Sequence, residues 1–234
     1  MLKSYSELSA DFDGVLSAVP HYALYPEMMT AIGRHYGSAP VRVLVLGESH
    51  YLDDDEPNNL PEHWYERREL LYPASARNIS TRGIFNNVIC GRNPSRSKAI
   101  FHALASALDD CGMRLPEARS SLQAIAYMNF FQRPAERTGK SIRVSARDVE
   151  ESARVIPAVC AALQPQLVVF ASRLGWRHAK AEIASGLAAS GIRIAFVPHP
   201  ATSWWNRPSR PMGGLTGRQR FIEAVRAAQA EQTR

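Results

Sequence analysis

Four runs along the chain, Val41 to Leu46, Ala124 to Met128, Leu167 to Ala171 and Ile192 to Val197, are apolar at almost every position. A strand with one face in water alternates between apolar and polar residues. An uninterrupted run implies cover on both faces, hence strands of a mainly parallel sheet between helices. The stretches between the runs carry helical spacing. Ser145-Ala-Arg-Asp148 reads as a capping box with Asp in place of Glu, and Val149, Ala153, Ile156, Cys160 and Leu163 follow as an apolar stripe. Helices are also expected over 22–36, 97–111, 173–188 and 217–231. Pro, Asn and Gly crowd residues 53–95, where long irregular connections are expected. No internal repeat, low-complexity segment or linker interrupts the pattern. The expectation is one domain over 1–234, α/β in class, a three-layer α/β/α sandwich around a central parallel four-stranded sheet.

Composition narrows this picture. A chain of 234 residues, 45% hydrophobic, can bury a sizeable core within one domain. No run approaches the length of a membrane span, and the first residues lack the apolar core of a signal peptide. A cytoplasmic protein without a membrane partner is therefore expected. Cys90, Cys111 and Cys160 are far apart and form no C-x-x-C pair, which favours reduced thiols over a disulfide or a metal cage.

Charge points to a partner. The formal net charge is +6, and arginine supplies 24 of the 28 basic residues. Arginine grips phosphate bidentately, so a polyanion is favoured, although a GC-rich genome also enriches arginine. The signs are segregated. Arg77 to Lys98 and His199 to Ile222 hold basic residues and no acid, while Asp53-Asp-Asp-Glu56 concentrates acids. Nucleic-acid surfaces show such segregation, and so do solvated faces.

Each apolar run ends in polar residues. The first delivers Gly47-Glu-Ser-His-Tyr51, the second Asn129-Phe-Phe-Gln-Arg-Pro134, the third Ser172-Arg-Leu-Gly-Trp176, and the fourth His199-Pro-Ala-Thr-Ser-Trp-Trp-Asn-Arg207. Ligands of open α/β sheets bind outside the carboxyl ends of the strands. One cleft holding Glu48, His50, Asn129 and His199 could recognise an amide-like ring and stabilise an anion.

The order of these motifs resembles the uracil-DNA glycosylase superfamily. Its first-strand motif, G-[QE]-x-P-[YG], is matched by Gly47-Glu-Ser-His-Tyr51. Its asparagine at the end of a second strand is matched by Asn129, and its H-P-S by His199-Pro-Ala201. Pro165-Gln-Leu-Val-Val-Phe-Ala-Ser172 is similar to the family segment between these two motifs. The resemblance spans Val41 to Phe221 and implies strand order 2-1-3-4, numbering the four runs along the chain. It implies a hydrolase that releases uracil or a related deaminated base from DNA, without a cofactor. His199 would donate to the departing base, Asn129 would read its edge, and Tyr51 would exclude the thymine methyl. Gly47 and Ser49 would complete the base site. Trp204, Trp205, Arg207 and Arg210 would contact nucleic acid from the loop that enters the minor groove in relatives.

The chain also departs from the family. Ser49 stands where the strongest uracil-specific branch orients water with an aspartate, and His50 stands in place of proline. Glu48 or His50 could hold the water instead. Three scattered cysteines cannot hold the iron–sulfur cluster of the branch with the most similar motifs, so no metal is expected. Two other readings stay open: a catalytically inactive or repurposed relative that binds nucleic acid or nucleotide, and a small-substrate hydrolase using Glu48 and His50. Ser49 makes a poor esterase nucleophile, because the glycine that completes G-x-S-x-G is Tyr51 here.

Overall fold

Alternation within the apolar runs sends successive side chains to opposite faces of the sheet, and both faces are covered. The computed structural model describes residues 5–52, 60–67, 79–92, 99–137 and 139–232. In chain order the elements are α1 (Asp13–Ser17), α2 (Pro20–Leu24), β1 (Ala31–Ile32), β2 (Val43–Gly47), α3 (Pro61–Tyr65), α4 (Thr81–Ile89) and α5 (Ala99–Asp110). They continue with β3 (Ile125–Asn129), α6 (Ala146–Leu163), β4 (Leu167–Phe170), α7 (Arg173–Ala179), α8 (Ile183–Ala189), β5 (Arg193–Phe196) and α9 (Gly217–Gln232). Val43, Val45, Ile125, Tyr127, Leu167 and Val169 pack on one face with Phe85 of α4, Leu104 of α5 and Phe221 of α9. Leu44, Leu46, Ala126, Met128, Val168 and Phe170 pack on the other with Val155 and Val159 of α6 and Leu187 of α8.

The sheet has five strands in the order β1-β3-β2-β4-β5. β3, β2, β4 and β5 are parallel, and β1 adds an antiparallel edge through Ala31 opposite Tyr127. The expected pure four-stranded parallel sheet is thus corrected to a mixed one. The parallel strands keep the relative order read from the motifs. The helix expected over 22–36 is also overturned. Pro26 cannot donate to a helix, so α2 stops at Leu24, and a 3₁₀ turn over Pro26–Met28 leads to β1. Gly33 then passes so close to the Gln123 backbone that a Cβ would lie 2.3 Å from its carbonyl oxygen.

Two other helical expectations change. The segment 173–188 divides into α7 and α8 at a turn over Lys180 to Glu182, a break that no local sequence signal marks. Within the stretch expected to be irregular, Ser80 caps α4 by accepting from the Gly83 N–H at 3.1 Å. Gly83, Asn86 and Asn87 are weak helix formers. Burial of Phe85, Val88 and Ile89 holds that helix together. α6 starts with the expected box, in which Ser145 and Asp148 each bond the other's backbone N–H. Among the described residues, no helix is long and apolar enough to cross a membrane.

Candidate active site at the carboxyl edge of the sheet

Gly47 and Asn129 are register partners at the last rung of the β2–β3 ladder, so the first two motifs leave the sheet side by side. They stay together beyond it. Phe130 N–H donates to Gly47 O, Phe131 N–H to Glu48 O and Ala135 N–H to His50 O, at 3.1, 2.9 and 2.8 Å. A Cβ on Gly47 would sit 2.0 Å from the Tyr127 hydroxyl and 2.5 Å from Asn129 Oδ1, so glycine is required there. Tyr127 uses that space to donate to Asn129 Oδ1 at 3.0 Å. Burial raises the Tyr127 pKa, with Tyr51 and Glu48 adding to the effect, so its phenol stays protonated.

The loop after Asn129 is buried, which loops seldom are, because its backbone must find partners away from water. Gln132 Nε2 donates to the Asn129 and Phe130 carbonyls at 2.8 and 3.0 Å, and Ser152 Oγ donates to Phe130 O at 2.8 Å. Arg133 is 0% exposed and uses all its N–H groups: on both Asp148 oxygens, on Glu136, and on the Pro134 and Arg143 carbonyls. Asp148 is equally saturated, because Tyr65 of α3 and Ser145 also donate to it. This network clamps the Asn129 loop to the start of α6.

Glu48 is half-buried, and Ser172 Oγ donates to its Oε2 at 2.7 Å. The same Oγ accepts from Gly175 N–H at 3.0 Å and caps α7, so the cap fixes the hydroxyl that holds the carboxylate. Gly175 also lets α7 approach the loop, since a Cβ there would lie 3.1 Å from the Phe130 ring.

His199 follows β5 on the same edge. Its Nδ1 accepts from Ala201 N–H at 3.2 Å, and its carbonyl accepts from the Thr202 N–H and hydroxyl. A neutral ring with Nδ1 so occupied carries its proton on Nε2. Burial lowers the His199 pKa while the nearby Glu48 charge pulls it back up. His199 is therefore a neutral donor around pH 7, within reach of the Glu48 field. Tyr51 sits at the rim, 36% exposed, its pKa raised by burial and by Glu48. Ser49 is buried, and its Oγ has no hydrogen-bond partner among the described residues.

His50 turns its ring to Thr81 at the start of α4. The ring is buried and its Nε2 meets Thr81 Oγ1 at 2.9 Å, while that hydroxyl donates to Met28 O. Burial lowers its pKa to about 4, so it is neutral near pH 7. A histidine depressed from about 6.5 costs nothing above that pH, where both folded and unfolded states are neutral. As pH falls from there towards 4, the unfolded chain takes up the proton first and stability drops, by on the order of 3 kcal/mol. Urea unfolding across this window should show the loss, and His50→Gln should flatten it.

The loop over 202–210 divides its residues. Trp204 is 54% exposed, whereas Trp205 is 2% exposed and packs on Phe221 and close to Gly217. Trp205 is therefore corrected from a nucleic-acid contact to a core residue that anchors the His199 turn. Arg207 and Arg210 are exposed and form no ion pair among the described residues. The other arginines of this stretch are engaged, Arg218 with Asp110 and Arg220 with Glu223. In the other basic stretch Arg82 is buried against Asp13. Arg77, Arg96, Lys98 and the acidic run Asp53 to Glu56 lie outside the described residues.

A groove of about 760 Å³ lies at the opposite edge, before β4 and β5, lined in part by Arg42, Gln164, Gln166 and Glu182. It contains none of the expected site residues. Cys90, Cys111 and Cys160 are free thiols, and burial raises the pKa of Cys111 to about 11 and of Cys160 to about 12. Among the described residues, no group of His, Cys, Asp and Glu could hold a metal. Two interactions escaped the sequence reading. Ser172 was visible only as a strand-end residue, and the Arg133–Asp148 pair joins positions whose separate motifs gave no sign of contact. The chain matches no protein-family model and no curated protein sequence.

Proposed function

We propose that the protein is an N-glycosidic hydrolase releasing uracil or a related deaminated base from DNA. The observation that carries this reading is the gathering of Asn129, Glu48 and a neutral, Nε2-protonated His199 at one sheet edge. Cleavage breaks the bond between the sugar C1′ and the base nitrogen, and the bonding electrons leave with the base. His199 Nε2–H donates to the base oxygen where that charge accumulates, an interaction stronger in the transition state than in the ground state. Glu48, held by Ser172, orients a water towards C1′ and accepts its proton, and the hydroxyl completes the sugar. The proton finally passes to the released base. The Asn129 amide reads the flipped base edge.

Glu48 bonds Ser172 while His50 bonds Thr81, which favours Glu48 on water without His50 over the Glu48–His50 pair of the small-substrate reading. Trp204, Arg207 and Arg210 form an exposed surface suited to stacking and phosphate contact. Arg207→Ala is expected to weaken DNA binding across sequences and to flatten the salt dependence by about one unit of log–log slope, read by titration at several salt concentrations. An unchanged slope would remove Arg207 from the interface. Single-turnover release of free base from a uracil-containing oligonucleotide tests the activity itself. DNA binding without release would instead mark a repurposed relative.

A further inference from the structure

The buried hydroxyl of Tyr127 has a consequence for selectivity that rests on the base-excision reading. Tyr127 is 5% exposed, and Asn129 Oδ1 lies 3.0 Å from its hydroxyl. A buried phenol needs an acceptor for its proton, and of the two amide atoms only the oxygen can accept. The contact therefore disfavours amide rotation, since a flipped amide could donate to the phenol oxygen but would leave the buried phenol proton without an acceptor. Asn129 Nδ2 has no partner among the described residues and is not sealed from solvent.

We infer that Tyr127 is a specificity-determining residue, which locks the Asn129 amide so that the site accepts a lactam edge, a ring carbonyl beside a ring N–H, and rejects an amino-substituted edge. The accounting follows from the atoms. Nδ2 donates to the ring carbonyl, and the second lone pair of Oδ1 accepts from the ring N–H. Uracil, hypoxanthine and xanthine present this edge. Cytosine and adenine present an amino donor beside a nitrogen acceptor, which a free asparagine could match by flipping but a locked one cannot. Gly47 belongs to the device, because any side chain there would displace the Tyr127 hydroxyl. Tyr127 itself touches no substrate. It acts through Asn129.

The test compares the unmutated protein with Tyr127→Phe, Asn129→Ala and the double variant, each checked for folding by thermal melting. Single-turnover uracil release is measured, and then its inhibition by free uracil and by free cytosine. Tyr127→Phe should narrow the preference for uracil over cytosine about tenfold or more, and should leave that preference unchanged in the Asn129→Ala background. A merely structural role would slow release or lower the melting point without moving the ratio. If Tyr127→Phe does not fold, Tyr127→Leu also removes the hydroxyl while leaving Gly47 and Asn129 in place, and should produce the same narrowing. An unchanged ratio in a folded variant, with the unmutated protein active, overturns the role of Tyr127 alone. No uracil release by the unmutated protein overturns the base-excision reading, and this inference with it.

Discussion

Replacing His199 with alanine should slow base release by about a hundred- to a thousandfold while leaving affinity for uracil-containing DNA nearly unchanged. The ring is placed by a turn that has little freedom. Val197 is in the core, its N–H pairs with Phe170 O, and Pro198 lies where a Cβ on Gly217 would come within 2.5 Å of it. Ala201 N–H occupies Nδ1, which leaves Nε2–H as the donor. In the proposed reaction that donor would meet a neutral carbonyl before the bond breaks and an anionic oxygen as it breaks, so its loss would fall on the rate and not on binding. Single-turnover release and equilibrium binding, measured on the same oligonucleotide, separate the two. A loss of affinity matching the loss of rate would place His199 in ground-state recognition.

The second large effect is on stability. Asp148→Ala is expected to destabilise the fold by about 3–5 kcal/mol, because it leaves a fully buried guanidinium with the partly exposed Glu136 as its one remaining carboxylate partner among the described residues. Arg133 and Asp148 are both 0% exposed and meet at 2.7 Å through Nε and Oδ1. Removing the carboxylate leaves Arg133 without two of its acceptors and also breaks the capping box of α6 and the Tyr65 contact. The clamp on the Asn129 loop fails with it, so activity should fall before global unfolding. Urea unfolding of Asp148→Ala and Asp148→Asn measures this. Asparagine keeps the volume but not the charge, so it too should be strongly destabilising. A change below about 1 kcal/mol would mean that Arg133 finds water or another acceptor.

How much of this was legible in the chain depended on whether the determinants were local. The four parallel strands could be read because burial on both faces forces continuous apolar runs. The Ser145–Asp148 cap could be read because both partners lie within one turn. β1 could not, since a two-residue edge strand has no periodicity of its own and takes its form from pairing with β3. α4 was hidden by poor helix formers and held by tertiary burial. At the site, the strand-end rule brought Gly47, Glu48, Asn129 and His199 to one edge. The partners that set their chemistry are distant in sequence: Ser172 for Glu48, Thr81 for His50, and Asp148 for Arg133. The tryptophan pair shows the same limit. Adjacent residues on a 3₁₀ turn point apart, and only the packing of Phe221 and Gly217 decides that Trp205 is the buried one.

The most direct measurement is single-turnover release of free base by the unmutated protein from a labelled oligonucleotide carrying one uracil. One free uracil and one abasic site are expected for each substrate strand, with the unmodified strand left intact. No free base from uracil, hypoxanthine or xanthine substrates, with folded protein in excess, would contradict the proposed base excision.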